Sequence, residues 1–330
     1  MSTIRAAITA VGHYVPEKVL TNLELEKMVN TNDEWIRTRT GISERRVLEH
    51  GGTSDMGVKA TEMLLKNRGI SAEEIDVIIF ATVTPDMFFP ATACVLQQKI
   101  GAKNAWGFDV SAACSGFVYA ITLGSQLVET GAYKKVLVIG ADKMSAILDY
   151  TDRNTCILFG DGAGAVLLEP SNDPNVGVLD HKLYSDGNGG EHLYMKGGGS
   201  LNPPTHETID KKLHYIYQDG KAIFKVAIIG MADVSAEVMH RNNLTGADID
   251  WLVPHQANLR IIDATARRME LDESKVMINI SKYGNTTAAT IPLALSEWWH
   301  AGKVKKGQNL ILSSFGAGYT WGAVYVKWAY

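Results

Sequence analysis

Residues 105–141 read AWGFDVSAACSGFVYAITLGSQLVETGAYKKVLVIGA, and their three parts decide the fold. Residues 105–110 and 136–141 are short apolar runs of the kind that form strands buried on both faces. Between them, 115–130 is apolar on nearly every side and stops at Gly131, which is the pattern of a buried helix. Strand, helix and strand in that order form a crossover unit, so the sheet is mainly parallel and covered on both faces. Residues 77–84 supply a further strand of the same type upstream. The fold class is α/β.

The same signals recur about 170 residues later. Ser71-Ala-Glu-Glu-Ile-Asp76 before Val77-Ile-Ile-Phe80 resembles Thr245-Gly-Ala-Asp-Ile-Asp250 before Trp251-Leu-Val-Pro254. Phe108-Asp109-Val-Ser111 resembles Ile278-Asn279-Ile-Ser281, and Gly131-Ala-Tyr-Lys-Lys135 resembles Gly302-Lys-Val-Lys-Lys306. Three matches in one order at nearly one offset divide the chain into two related halves, 1–172 and 173–330. Each half is expected to end in a hairpin-like pair, 156–159 with 163–168 and 310–314 with 322–328. Residues 185–221, rich in Gly and Pro, read as a surface excursion or flap.

Composition narrows the function. The chain has 330 residues, 46% hydrophobic and 21% charged, with a formal net charge of -4, which excludes disorder and allows a large core. A weakly acidic chain has no global attraction to nucleic acid or to an anionic membrane, so neither is expected as a partner. Cys94, Cys114 and Cys156 make no disulfide framework and no C-x-x-C metal pair. No apolar run approaches 18 residues, and the stretch after Arg5 reads as a first strand, so a cytoplasmic protein is expected. Gly160-Asp-Gly162-Ala-Gly-Ala165 loosely fits a dinucleotide fingerprint, but Val166-Leu-Leu follows where a helix would have to begin.

Cys114 stands apart from the other two cysteines. In Val110-Ser-Ala-Ala-Cys114-Ser-Gly116 it lies between an apolar strand and a buried helix, with small residues on both sides that permit a sharp turn. A helix N-terminus offers unpaired N–H groups and partial positive charge, so a thiolate is expected there. His255 follows the apolar run Trp251-Leu-Val-Pro254, and Asn285 is expected to lie just after a strand as well. All three residues therefore fall at the carboxyl ends of strands, where α/β sheets form sites. Cys114 belongs to one half and the other two to the second, so the site lies between the halves. A thiol nucleophile with two neutral hydrogen-bond donors suits acyl transfer through a stabilised oxyanion.

Five motifs carry a specific resemblance: Asn32-Asp-Glu-Trp35-Ile-Arg-Thr-Arg39-Thr-Gly-Ile42, Ala112-Ala-Cys114-Ser-Gly-Phe117, Phe159-Gly-Asp-Gly-Ala-Gly164, Pro254-His-Gln-Ala-Asn258 and Tyr283-Gly-Asn285-Thr-Thr287. In this order, over essentially the whole chain, they resemble the β-ketoacyl-acyl carrier protein synthase III family. The resemblance implies a thiolase-like fold of two βαβαβαββ halves in five αβαβα layers, normally a homodimer. It implies the first condensation of fatty acid synthesis, in which acyl-CoA is joined to malonyl-acyl carrier protein with loss of carbon dioxide. Acyl-CoA and acyl carrier protein are then substrates, and no cofactor or metal is implied.

By position, the resemblance makes Cys114 the acylated nucleophile and His255 with Asn285 the decarboxylation pair. The backbone N–H groups of Cys114 and Ala317 become the oxyanion hole. Trp35, Arg39 and Arg153 hold the nucleotide end of CoA, and Gly220, Phe224 and Asn258 line the pantetheine tunnel. Phe89 closes the acyl pocket from the partner subunit. Residues 258–269 read as a helix with Arg260, Arg267 and Arg268 facing water. With Lys225, these form the carrier-protein dock. Type III polyketide synthases share the Cys-His-Asn set and are the nearest enzymatic alternative; a non-catalytic acyl-CoA or carrier-protein sensor is the other.

Overall fold

The computed structural model describes residues 4–330 of the chain. It opens with β1 (Arg5–Tyr14), β2 (Val19–Thr21), α1 (Asn22–Leu25), α2 (Asp33–Thr40) and β3 (Glu44–Arg46). Then come α3 (Thr53–Arg68), β4 (Val77–Ala81), α4 (Thr92–Ile100), β5 (Trp106–Val110), α5 (Gly116–Glu129), β6 (Val136–Asp142) and β7 (Gly162–Ser171). The next elements are β8 (Gly177–Ser185), β9 (Leu193–Met195), α6 (His206–Asp210), β10 (Ile216–Gln218) and α7 (Gly220–Arg241). The chain finishes with β11 (Trp251–Pro254), α8 (Leu259–Arg268), α9 (Ile280–Tyr283), α10 (Thr290–His300), β12 (Asn309–Gly316) and β13 (Thr320–Lys327).

Two sheets repeat one arrangement. The first has the order β1-β7-β6-β4-β5, with β4 parallel to β5 and β6, and β7 antiparallel to β6 and β1. The second has the order β8-β13-β12-β11, with β11 parallel to β12, and β13 antiparallel to β12 and β8. Where the first sheet has β5, the second has a single parallel bridge from Leu252 to Val276.

Every residue of β4 and β6 is buried, which is why each reads as an unbroken apolar run. Alternate residues serve opposite faces. Val77, Ile79, Leu310 and Leu312 pack with Phe117 and Val118 of α5 and Ile291 and Leu295 of α10, so both sheets share one central helical layer. Ile78 and Phe80 instead face Met56 of α3 and Leu96 of α4, and Ile311 faces Val234 of α7 and Ile262 of α8. The result is the five-layer αβαβα architecture. Each fully buried side chain of this kind contributes about 1.5–3 kcal/mol. No helix among the described residues is long and apolar enough to cross a membrane.

Two expected strands are absent. Residues 156–159 do not pair with β7, whose neighbours are β1 and β6. Their polar groups are engaged elsewhere: Cys156 N–H donates to Asp152 O at 3.1 Å, and the buried guanidinium of Arg45 donates to Ile157 O at 2.6 Å. Residues 278–281 likewise leave the extended state, because the Gln256 side-chain oxygen accepts the N–H groups of Asn279 and Ile280, each at 3.1 Å, and starts α9. Asn285 therefore follows a one-turn helix rather than a strand. The 185–221 excursion is partly ordered, by α6 and the antiparallel β9–β10 pair.

Two glycines let the second half settle onto the first sheet. A Cβ on Gly140 of β6 would lie 2.2 Å from Ala288 O, and one on Gly164 of β7 would lie 2.5 Å from Leu293 N. At these two points the sheet carries no side chain, and the backbone around Ala288 and Leu293 rests directly on it. Gly140→Ala is expected to lower stability by about 3 kcal/mol, the upper end of ordinary overpacking. Urea denaturation reads this as a fallen midpoint at constant slope; an unmoved midpoint would refute the close approach.

Candidate active site

The chain turns sharply between β5 and α5. Ala113 adopts φ +46, a left-handed conformation, and Cys114 follows it immediately. The second half holds this turn. Ser314 Oγ donates to Cys114 O at 2.7 Å, Ser115 Oγ donates to Thr320 O at 2.8 Å, and Thr320 Oγ1 donates to Ala112 O at 3.0 Å. Gly316 passes so close that a Cβ there would be 2.8 Å from Cys114 N. Ala317, in the connection from β12 to β13, lines a cavity that also exposes Cys114.

His255 directly follows β11, and its N–H donates to Ser313 O at 2.8 Å. The ring is buried, with Nδ1 2.8 Å from Thr290 Oγ1 and Nε2 without a partner among the described residues. Burial lowers its pKa to about 3, so the ring is neutral across the physiological range.

Asn285 is clamped from both sides: its N–H donates to Leu158 O at 2.9 Å, and its carbonyl accepts from Gly160 N at 3.0 Å. Gly284 before it has φ +63, and a Cβ there would lie 2.7 Å from Leu158 O, so only glycine fits. Asn285 Oδ1 accepts from Thr287 N at 2.8 Å, which leaves the side-chain NH2 to donate into the cleft it shares with Cys114. Thr287 itself stands at φ +52 and donates its hydroxyl to the buried carboxylate of Asp142. On its other oxygen, Asp142 accepts from Val83 N, Thr84 N, Thr84 Oγ1 and Thr82 Oγ1 at 2.8–3.0 Å.

The thiolate expected at this helix start is not the resting state. Burial pushes the Cys114 thiol up to about 12, and the Asp142 carboxylate adds to the rise. The hydrogen bonds from Asn285 and from the cysteine's own backbone pull the other way without reversing it. Helix position was legible in the sequence; the depth of burial was not.

One cleft gathers Cys114, His255 and Asn285 with the expected tunnel residues Gly220, Phe224 and Asn258. A second, more apolar cavity meets it at Cys114 and is walled by Met144, Ile147, Leu193 and Ile216. Trp35, Arg39 and Arg153 do not line the cleft. Trp35 packs in a cluster that includes Leu158 of the cleft wall, and the Arg153 guanidinium stacks on its ring at 5.0 Å. Arg39 is tied to the tunnel residue Asn258, whose side chain donates to Arg39 O at 2.9 Å. Phe89 is 85% exposed and makes no part of the core. Lys225, Arg260, Arg267 and Arg268 all face solvent. However, Arg268 pairs with Asp233 at 3.0 Å, and Arg260 lies over the Phe224 ring at 4.7 Å. Thr287, Thr290 and Asp142 were not singled out from the sequence. The only available signal was the run Thr286-Thr-Ala-Ala-Thr290 ahead of an apolar helix.

Residues 108–187 match the family described as 3-Oxoacyl-[acyl-carrier-protein (ACP)] synthase III, and 239–328 match its C-terminal counterpart. A relative from Chlorobaculum tepidum, named Beta-ketoacyl-[acyl-carrier-protein] synthase III, is 62% identical over 98% of this chain and 100% of its own. One of the same name from Chlorobium luteolum is 61% identical over the same shares. The crystal structure of 3-oxoacyl-[acyl-carrier-protein] synthase III from Aquifex aeolicus superposes with a TM-score of 0.91 at 43% identity, covering 98% of this chain and 100% of that one.

A buried thiol titrating near 12 has a clear signature. The rate of iodoacetamide alkylation at Cys114, read by peptide mass spectrometry, is expected to keep rising through pH 7–11. A plateau reached near neutrality would mean a standing thiolate.

Proposed function

The chain belongs to the β-ketoacyl-acyl carrier protein synthase III family, and from that premise we propose how its own residues carry the initiating condensation of fatty acid synthesis. The enzyme is an acyltransferase that joins the acyl group of acyl-CoA to malonyl-acyl carrier protein, giving 3-oxoacyl-acyl carrier protein, CoA and carbon dioxide. The observation that supports the residue roles best is the convergence of a thiol, a neutral imidazole and a carboxamide in one cleft between the two sheets. In this reading, 1–172 is the half that carries the nucleophile and 173–330 the half that carries the donor pair.

Cys114 sulfur attacks the thioester carbonyl, and its proton leaves with the CoA sulfur as a thiol. The N–H groups of Cys114 and Ala317 hold the oxyanion that forms in that step. One thioester replaces another, so the exchange is close to balanced in energy. The malonyl thioester then enters the cleft and loses carbon dioxide, and its electron pair is held as an enolate. His255 Nε2–H and Asn285 Nδ2–H donate to the enolate oxygen, each worth about 3–4 kcal/mol of barrier. The enolate carbon attacks the acyl-Cys114 carbonyl and expels the sulfur as a thiolate, which takes a proton from solvent to restore the thiol. A neutral imidazole suits this step, because an imidazolium would offer the carbanion a proton. The sequence of steps is accounted for without a cofactor.

Acyl-CoA is read as lying along the cleft past Gly220, Phe224 and Asn258, its nucleotide end at the Trp35–Arg153 stack and Arg39. A homodimer accounts for the exposed Phe88 and Phe89 and for β5, an edge strand that leaves Trp106 43% exposed. In it, Phe89 reaches the partner's acyl pocket. A cytoplasmic location fits these substrates.

Radiolabelled acetyl-CoA is expected to label the peptide bearing Cys114, and no label there would return the sensor reading. His255→Ala and Asn285→Ala should each slow decarboxylation by roughly two to three orders of magnitude while Cys114 still acylates, because the oxyanion hole is backbone. Folded variants that lost both steps equally would overturn these roles.

The dock rests on Lys225, Arg260 and Arg267, since Asp233 already neutralises Arg268. Exposed ion pairs are worth about 0.2–1 kcal/mol each, mainly in association rate. Lys225→Glu with Arg267→Glu should raise KM for malonyl-acyl carrier protein several-fold and flatten its salt dependence, with acylation by acyl-CoA little changed. Equal losses toward carrier protein and malonyl-CoA would show that the dock lies elsewhere.

A further inference from the structure

A neutral imidazole carries a single ring proton, and only the Nε2–H form can donate into the cleft. The alternative, with the proton on Nδ1, would turn a lone pair toward the enolate oxygen and repel it. What decides between the two forms is the partner of the other nitrogen. His255 Nδ1 has one, Thr290 Oγ1 at 2.8 Å, and both side chains are buried, so no bulk water competes for the role.

Thr290 has one hydroxyl hydrogen and two oxygens or nitrogens within reach of it. One is His255 Nδ1; the other is Thr287 O at 3.0 Å. The Thr287 carbonyl already accepts the backbone N–H of Thr290 itself, at the turn that leads into α10. The imidazole nitrogen has no other donor. A hydroxyl aimed at Nδ1 leaves Thr287 O with the backbone bond it already has; one aimed at Thr287 O adds a second bond there and requires Nδ1 to carry the ring proton and donate it to Oγ1. The unpartnered Nε2 is on the cleft side, where only substrate can supply its partner.

We propose that Thr290 is a positioning residue that donates its hydroxyl to His255 Nδ1 and so holds the ring proton on Nε2, facing the cleft. The proposal rests on the reading of His255 as an enolate donor only for its consequence in catalysis; the tautomer itself is a property of the resting protein. The same turn orients the second donor, because Thr287 N–H takes Asn285 Oδ1 and leaves the amide hydrogens for the site.

The test has a spectroscopic and a kinetic arm. In protein labelled with 15N-histidine, with His255 assigned by its loss in His255→Gln, the ring nitrogens should show a bare Nδ1 and a protonated Nε2. Thr290→Val keeps the shape but removes the hydroxyl; it should mix the two tautomers and slow malonyl decarboxylation about ten- to a hundred-fold, the range found when a metal-bound imidazole loses its orienting partner. Acylation of Cys114 should stay within about two-fold, and Thr290→Ser should restore both the spectrum and most of the rate. A protonated Nδ1 in the wild-type protein would overturn the proposal whether or not the variants fold. So would a folded Thr290→Val that decarboxylates normally while His255→Ala does not. If His255→Ala itself decarboxylates at the wild-type rate, the enolate-donor reading fails, and the nitrogen spectrum still decides the tautomer.

Discussion

The hydrogen bond from Thr287 to the buried carboxylate of Asp142 joins the end of a strand in the first half to the turn before α10 in the second. Four further donors on Asp142 fix the carboxylate within its own half, so the bond locates the turn rather than the reverse. Thr287 is held there at a positive φ, which turns its N–H toward Asn285 and its carbonyl toward the first residue of α10. The close approach at Gly140 is what allows the turn to sit that deep. In return, Ser314 and Thr320 of the second half hold the turn that carries Cys114. Each half thus positions side chains that the other brings to the cleft, and neither would line it alone.

Burial sets the electrostatics of this junction. It disfavours charge on all three titratable members, raising the Cys114 thiol and the Asp142 carboxyl and lowering the His255 imidazole. The resting site is therefore neutral at Cys114, His255 and Asn285, surrounded by fixed dipoles. Such a site stabilises negative charge only when the reaction creates it, which is where stabilisation lowers a barrier rather than deepening a ground state.

The α/β class was legible because β4 and β6, buried on both faces, leave uninterrupted apolar runs, and because the second half repeats the first. The strand order was not: half the pairings of the first sheet are antiparallel where a mainly parallel sheet was expected, and β5 lies unburied at its edge. Residues 156–159 show the limit of that signal. They are as apolar as a strand, but their polar groups are taken by Arg45 and by the 285 loop, competitors that lie far away in sequence. The same holds for the site. Cys114, His255 and Asn285 sit in short motifs, whereas Thr290 acts through one bond to a residue 35 positions earlier and Thr287 through one spanning 145. The helical wheel placed Arg268 correctly on the wet face, yet it held no trace of Asp233, which arrives from α7.

The duplication also explains why one cleft can meet two successive charges. Each half contributes one helix to the central layer, and each begins at the junction: α5 just after Cys114, and α10 at Thr290 beside His255. A helix N-terminus carries roughly half a positive charge in oriented N–H groups. In the mechanism proposed above, acylation develops an oxyanion at Cys114, at the start of α5, and decarboxylation an enolate near His255 and Asn285, at the start of α10. Burial already keeps the imidazole neutral, and the dipoles bring no acidic proton with them. Positive potential supplied by a cationic side chain would carry a proton to the carbanion it was meant to hold. Supplied by two helix starts, it favours the anions and leaves the carbon free to form its bond.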